Sequence, residues 1–257
     1  NKGRVGASDG PNAIRKALGS MALHTDKSLY DLGDCVCKED QMEITQVAFA
    51  NNVKAVLSSN NKLIGLGGGH DIAYAHGSGI YNYLNNSNQK LGIINLDAHF
   101  DLRQPTESTN SGTPFYQLAQ EHRNNFNYLT VGVQKYGNTQ RLFTTAKDLG
   151  TTYLLREDLQ FNLAQSLDKI RSFVQTVDQI YLTIDLDGID ESICPGVSAP
   201  SINGMTLDEI LVIIDVIIDS NKLLSMDLAE LNPGYDKDHK TAKVAAFLIH
   251  RIISIWE

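Results

Sequence analysis

Basic residues are in short supply in this 257-residue sequence, which has 22 Lys and Arg against 30 Asp and Glu. The net charge is -8 and the sequence pI is near 5.3. A nucleic-acid partner is therefore disfavoured, because neutralising phosphates requires a basic face. We expect a small-molecule partner instead.

Cysteine is also scarce, and the spacing of the three cysteines, Cys35, Cys37 and Cys194, is not typical of a four-ligand zinc site. The odd count favours a reducing cytoplasm over secretion. The longest apolar stretches cover residues 210–218 and 244–256. Both are too short and too interrupted to cross a bilayer, which needs about 20 apolar residues. We therefore expect a cytoplasmic protein with no membrane segment.

Apolar residues, in contrast, are plentiful at 42% of the chain, which is enough to bury a core without disulfides. Six short apolar runs are typical of buried strands and cover residues 62–67, 91–96, 128–133, 151–155, 179–186 and 222–228. Segments with helical periodicity precede, separate and follow them, at residues 43–59, 72–84, 114–122, 139–147, 163–176, 207–220 and 241–255.

This alternation predicts the α/β class, with three layers, α/β/α, around a mostly parallel central sheet. We expect a single domain over residues 1–257, since no linker, repeat or low-complexity tract interrupts the pattern. The chain opens on NKGRVGASDGP without an initiator Met. We therefore also expect an N-terminal segment upstream of it.

Polar motifs follow four of the predicted strands: GGGHD, DAHFD, DLDGID and DLAELNP. They contribute seven side chains able to bind a cation or move a proton, namely His70, Asp97, His99, Asp101, Asp185, Asp187 and Glu230. The carboxyl ends of parallel strands meet at one edge of a sheet, where ligands bind. Alternate side chains of an extended segment share a face, so the three polar residues of DAHFD converge.

Each motif taken alone has a simpler interpretation as a turn or a capping cluster, because Asp and Gly are common in both. Together, four aspartates and two histidines directed at one region would repel one another and suffer desolvation unless cations neutralised them. Carboxylates and imidazoles without thiolates favour Mn²⁺ over structural zinc. Six such side chains suit two ions that share bridging carboxylates.

In order and approximate spacing, GGGHD, DAHFDLR, DLDGID followed by PGVSAPS, and DLAELNP resemble the ureohydrolase family of arginases, agmatinases and formimidoylglutamases. The resemblance covers nearly the whole chain. The forms NKGRVGASDGP, GGGHDIAYAHGSGIY, DAHFDLR and NSGTPFYQ look most like the formimidoylglutamase branch. The resemblance implies two Mn²⁺ ions per chain, with six ligands: His70, Asp97, His99, Asp101, Asp185 and Asp187. It also implies hydrolysis of the amidine C–N bond of N-formimino-L-glutamate to L-glutamate and formamide.

Two of the motif residues are then expected to be catalytic. Asp101 would orient the nucleophile and carry a proton onward, and Glu230 would face the cationic nitrogens of the substrate. The alternative for Glu230 is a buried salt bridge or a helix cap. Arginases have a histidine in the loop after DAHxD, whereas the comparable stretch here is STNSGTPFYQ. The proton donor therefore stays unassigned.

Arg103 is the expected substrate-selecting residue, because a guanidinium favours a carboxylate and repels a second cationic group. The alternative is a structural ion pair with Glu107. Further substrate-binding predictions are small polar residues of nearby loops: Ser111, Gly112, Thr113 and Asn138.

Other functions remain open alternatives. They are an agmatinase, guanidinobutyrase or arginase activity, a single-zinc deacetylase on a similar fold, and a non-catalytic ureohydrolase-like binding protein. The second carboxylate pair argues against the deacetylase, and the complete ligand set argues against the binding protein. The predicted partner is a small-molecule amidine substrate, with no nucleic acid and no membrane. Homo-oligomer formation is left open.

Overall fold

The structure is a computed structural model that describes residues 4–37 and 41–256. Its centre is a parallel sheet of six strands: β1 (Leu63–Leu66), β2 (Leu91–Leu96), β3 (Asn127–Val133), β4 (Thr152–Leu155), β5 (Gln179–Asp185) and β6 (Leu223–Ala229). Their order across the sheet is β1-β6-β5-β2-β3-β4. Each predicted strand coincides with one of these, so the mostly parallel sheet is confirmed.

Helices cover both faces of the sheet. In the described ranges they are α1 (Gly10–Leu18), α2 (Met42–Ser58), α3 (Ile72–Leu84), α4 (Pro114–Glu121), α5 (Gln140–Asp148), α6 (Arg156–Gln175), α7 (Leu207–Asp219) and α8 (Lys240–Ile255). One apolar cluster packs α1, α6, α7 and α8 against one face, and a second packs α2 to α5 against the other. The predicted three-layer arrangement is confirmed. Within the described ranges, every helix is too short or too polar to span a membrane.

Two helices differ from the prediction. Helix α1 was not predicted, and α6 begins at Arg156 rather than at residue 163. The predicted start follows a kink at Asn162, where φ is -144° and ψ is 54°. The turn before the kink is anchored from outside the helix, since Arg156 donates to Glu209 Oε1 at 3.0 Å and to Gly204 O at 2.8 Å. Local periodicity does not reveal such a tertiary anchor.

The strand order reverses direction between β2 and β5. From β2 the chain proceeds to β3 and β4 on one side, and from β5 it proceeds to β6 on the other. Such a reversal opens a ligand-binding crevice at the carboxyl ends of the strands. Gly188 lets the two loops meet there, because a Cβ at this position would lie 2.8 Å from Asp97 Cα and 2.9 Å from Ala98 N. The loops that carry DAHFD and DLDGID are thus in direct contact.

Candidate metal centre

A first group of ligand atoms surrounds the ring of His70. Its Nδ1 lies 2.9 Å from Asp101 Oδ2 and 3.1 Å from Asp185 Oδ2. The same nitrogen lies 3.4 Å from Asp97 Oδ2. All four side chains are buried, and they come from the loops after β1 and β2 and from the last residue of β5. This group can hold one cation.

A second group shares Asp97 with the first. His99 Nδ1 lies 3.3 Å from Asp187 Oδ1 and 3.4 Å from Asp97 Oδ1. Asp97 therefore directs Oδ2 toward the first group and Oδ1 toward the second. Within each group, the ligand atoms lie within 4.8 Å of one another. The structure brings all six predicted metal ligands together, as two adjacent groups joined by one carboxylate.

Local turns direct these side chains to one place. Asp97 Oδ1 accepts the backbone N–H of His99 at 2.7 Å, and Asp185 Oδ1 accepts that of Asp187 at 2.8 Å. These aspartate turns bend the chain just beyond each strand. Asp101 adopts a left-handed backbone with φ 47°, which costs about 1–3 kcal/mol and is typical of functional sites.

The charges of the site are unbalanced without cations. Burial lowers the pKa of His70, but the carboxylates, Asp185 foremost, outweigh burial and hold the pKa well above its usual value. Burial also lowers the pKa of His99, whereas Asp187 and Asp97 raise it, to about 12 overall. Burial, followed by the charges of Asp187 and Asp97, raises the pKa of Asp185.

Protons on both histidines thus compensate for crowded carboxylates. Asp187 Oδ1 is buried, and His99 Nδ1, 3.3 Å away, is not aligned for a hydrogen bond, so this oxygen has no hydrogen-bond partner among the described residues. Oxygen-rich donors with two imidazoles and one shared carboxylate fit two hard or borderline divalent cations. The residues present therefore fit the predicted metal pair.

Glu230 lies beside the first group. Its Oε1 accepts the backbone N–H of His70 at 2.8 Å, and its buried Oε2 has no partner in the described ranges. Burial, then the charge of Asp187, raises the pKa of Glu230 to about 7. The backbone of Glu230 is left-handed, with φ 70°. The predicted alternatives, a salt bridge or a helix cap, are not formed among the residues described.

A sequence model of the arginase family matches residues 1–254. The chain belongs to the arginase family.

Curated relatives of this arginase-family chain are named formimidoylglutamase. The one from Legionella pneumophila (strain Paris) is 42% identical over 259 residues, covering 98% of this chain and 80% of the relative. The one from Aeromonas salmonicida (strain A449) is 41% identical over 256 residues, covering 98% of this chain and 81% of the relative. A solved structure of Trypanosoma cruzi formiminoglutamase with Mn²⁺ superposes with a TM-score of 0.88 at 23% identity, covering 98% of this chain and 87% of that one. This structural likeness confirms the arginase-like fold.

Arg103 lies on the exposed loop that follows Asp101. Its backbone N–H donates to Gly112 O at 2.9 Å. A Cβ at Gly112 would lie 3.0 Å from Arg103 Cδ, so the missing side chain leaves room for the arginine. The guanidinium forms no ion pair with a residue in the described part of the chain, and the alternative pairing with Glu107 is therefore not seen. Its charge is available to a ligand.

The other predicted substrate contacts lie close to the site, and their roles stay predictions. Ser111 is half-buried, and its Cβ would be 3.7 Å from a Cβ placed on Gly69. The Thr113 hydroxyl accepts Asn110 N–H at 3.0 Å and lies 2.8 Å from Asn110 O. That hydroxyl stabilises the loop which begins α4.

The amide of Asn138 is occupied by backbone groups. Its Oδ1 accepts Phe100 N–H at 3.1 Å, and its Nδ2 donates to Ala98 O at 2.8 Å and to Gln134 O at 2.9 Å. Asn138 thereby fixes the backbone of DAHFD.

Two buried residues that the sequence did not indicate also support the ligands. Asn95 Nδ2 donates to Asp97 Oδ2 at 2.9 Å, and Thr183 Oγ1 lies 2.9 Å from His70 Nε2. The sequence does contain a signal for both residues. Each is a polar residue in an apolar run, two positions before a predicted metal-ligand aspartate. That spacing places Asn95 and Thr183 on the ligand face of their strands.

Proposed function

We propose that this arginase-family chain is a formimidoylglutamase that uses two Mn²⁺ ions. It hydrolyses the amidine C–N bond of N-formimino-L-glutamate, giving L-glutamate and formamide. The supporting observation is the complete six-residue site with a shared Asp97, in a chain about 40% identical to curated formimidoylglutamases over nearly its whole length. The predicted cytoplasmic location stays part of this proposal.

The two ions would share one ligand, Asp97, in this proposal. His70, Asp97, Asp101 and Asp185 would hold the first ion, and Asp97, His99 and Asp187 would hold the second. When bound, the ions supply Lewis acidity that activates water near neutral pH. The four aspartates match the charge of two divalent ions. A nearly neutral loaded centre can accept the cationic amidine group.

Asp101 and Glu230 carry the proton and substrate contacts. Asp101 belongs to the first ligand group, so its carboxylate lies within reach of the attacking water and can accept a proton from it. The partnerless Glu230 Oε2 can accept an N–H of the amidinium. Water adds to the amidine carbon, the bond from that carbon to the glutamate nitrogen breaks, and the nitrogen takes up a proton.

Arg103 selects the substrate in this proposal. Its exposed guanidinium has no ion-pair partner in the described ranges and lies two residues beyond Asp101. N-formimino-L-glutamate presents two carboxylates, which a guanidinium binds bidentately. Agmatine instead presents an ammonium, which the same group repels. The charge therefore favours the amidine with acidic ends.

The experiment is a substrate panel with metal content measured on the same sample. Purified, Mn²⁺-loaded protein is assayed on N-formimino-L-glutamate, arginine, agmatine and guanidinobutyrate. We expect close to two ions per chain and the fastest turnover on N-formimino-L-glutamate. Faster turnover of any of the other three would overturn the substrate assignment. One zinc ion per chain would instead favour the deacetylase alternative.

A further inference from the structure

A row of buried polar side chains crosses the sheet directly beneath the metal centre. Asp227, Thr183, Asn95 and Thr130 are register neighbours on β6, β5, β2 and β3. Each is 0% exposed. Burying polar groups in an otherwise apolar layer costs free energy unless each is hydrogen-bonded. The contacts of Thr183 indicate a function for this buried row.

The orientation of the His70 ring fixes which nitrogen bears the hydrogen in the metal-bound state. Nδ1 faces the carboxylates of Asp101, Asp185 and Asp97, so Nδ1 is the nitrogen that binds a cation. Nε2 must then carry the hydrogen and donate it to Thr183 Oγ1, 2.9 Å away. Metal-binding histidines commonly donate this second N–H to a fixed acceptor, which sets the tautomer and the ring orientation.

Thr183 can accept only if its own hydrogen points elsewhere, and Asp227 provides that direction. The two residues are register neighbours on β5 and β6. Asp227 Oδ1 is a buried acceptor with no hydrogen-bond partner among the described residues, and Thr183 contributes to lowering the pKa of Asp227. Asp227 Oδ2 also accepts His76 Nδ1 at 2.8 Å and Tyr181 OH at 2.5 Å. Burial raises the pKa of Asp227, but these hydrogen bonds, first that from His76, lower it overall. Asp227 is thus an ionised acceptor.

His76 bridges Asp227 and Ser225, both on β6. Ser225 Oγ donates its hydrogen to Leu63 O at 3.0 Å. It therefore accepts from His76 Nε2, 2.6 Å away. His76 Nδ1 lies 2.8 Å from Asp227 Oδ2, so each ring nitrogen has a hydrogen-bond partner. The hydrogen bonds of Asp227 Oδ2, to His76 and Tyr181, thus involve no metal ligand.

We propose that Thr183, oriented by Asp227, is a positioning residue that holds His70 as the Nε2-protonated tautomer facing the metal site. This inference rests on the metal centre of the proposed function. The expected effect on metal binding is selective. Thr183 contacts the group containing His70 and makes no hydrogen bond to His99 or Asp187 among the described contacts. Loss of the hydroxyl therefore weakens the binding of only one of the two ions, the one held by the group that contains His70.

The test is Mn²⁺ binding by Thr183→Val, which keeps the branched shape and removes the acceptor. Equilibrium dialysis and electron paramagnetic resonance of free Mn²⁺ give two dissociation constants per chain. We expect one Kd to rise by about 10- to 100-fold and the other to stay unchanged. Thr183→Ser, which retains the hydroxyl, should restore wild-type binding. Thr183→Ala serves as a second variant should the valine substitution prevent folding.

Thr130→Val is the matched control. Thr130 lies in the same buried row, but its hydroxyl has no hydrogen-bond partner among the described residues and contacts no metal ligand. We expect both of its Kd values to match wild type. Wild-type binding in Thr183→Val, or an equal loss in Thr130→Val, would overturn the positioning role. Wild-type protein that binds two ions without hydrolysing N-formimino-L-glutamate would contradict the proposed function, and the comparison of Kd values would still decide the role of Thr183.

Discussion

Glu230 Oε1 accepts the backbone N–H of His70 at 2.8 Å, although the two residues are 160 positions apart in the sequence. This bond ties the loop after β6 to the loop after β1. The second carboxylate oxygen of Glu230 is buried and has no partner within the described ranges. One carboxylate thus holds the loop of a predicted metal ligand and leaves the oxygen that, in the proposed function, accepts from the substrate.

The first prediction concerns the two carboxylate oxygens of Glu230. Glu230→Gln keeps an oxygen for the His70 N–H but removes the negative charge that faces the amidinium. We expect kcat/KM for N-formimino-L-glutamate to fall by about 10- to 100-fold, since a hydrogen bond to a charged group contributes about 1.5–3 kcal/mol. Steady-state kinetics and metal analysis are the measurements. Unchanged kcat/KM, or loss of Mn²⁺ from the variant, would show that the carboxylate acts differently.

A second prediction concerns the ligand set itself. Asp185→Asn removes a carboxylate charge that lies 3.1 Å from His70 Nδ1, second in distance only to that of Asp101. We expect the Mn²⁺ content to fall below two ions per chain. Activity should fall by at least about 100-fold, the upper end for changes that only support a metal ligand. Asp190→Asn is the control from the same motif. Asp190 accepts Ser192 N–H at 3.0 Å and Gly204 N–H at 3.1 Å and lies outside both ligand groups.

Asp190→Asn should retain both ions even if the loop is less stable. Full activity in Asp185→Asn would remove the basis of the metal mechanism.

A third prediction tests substrate selection. Arg103→Ala should raise KM for N-formimino-L-glutamate by about 10-fold or more, the equivalent of losing a charge-assisted hydrogen bond. Activity on an N-alkyl formamidine without carboxylates should not change. Arg141→Ala is the control, because Arg141 is another arginine of this surface and donates to Gln104 on the same loop at 3.4 Å. Equal effects of the two substitutions would point to general charge attraction rather than a specific contact.

The sequence was informative about the metal site because its ligands lie in short motifs at strand ends. Once the strands of DAHFD and DLDGID are placed in one parallel sheet, topology alone brings Asp97 and Asp185 together. The tautomer-setting contact of Thr183 could not be derived in this way. It depends on the register between β5 and β6, which pairs Thr183 with Asp227. Register is a property of the whole sheet and not of either strand.

The start of α6 shows a similar limit. Arg156 and Glu209 form a buried ion pair across two helices, and this tertiary contact overrides the weak helical signal before Asn162. The sequence also favoured Asn138 as a substrate contact, whereas three backbone groups occupy its amide. Local sequence patterns predict which polar residues lie near the site. They do not predict which of those residues bind the protein's own backbone.

The last prediction concerns the stability of the buried His76–Asp227 pair. Asp227→Asn breaks the buried pair that Asp227 Oδ2 forms with His76 Nδ1 at 2.8 Å, and we expect the free energy of unfolding to fall by about 3–5 kcal/mol. The folded-state pKa of Asp227 lies below its unfolded value. The stabilisation is therefore fully present above the unfolded pKa, about 3.9, and is lost as the pH falls through the folded pKa.

Urea unfolding of metal-free protein is the measurement for this pair. The difference between wild type and Asp227→Asn should be present above about pH 4 and should shrink as the pH falls below that value. Asp215→Asn is the control, because Asp215 pairs with Arg251 at 2.8 Å with both side chains more than a third exposed. Such a pair contributes no more than about 1 kcal/mol. A difference near zero at pH 5 would mean that Asp227 is already protonated in the folded chain, and Thr183 would then lack the ionised acceptor that orients its hydroxyl.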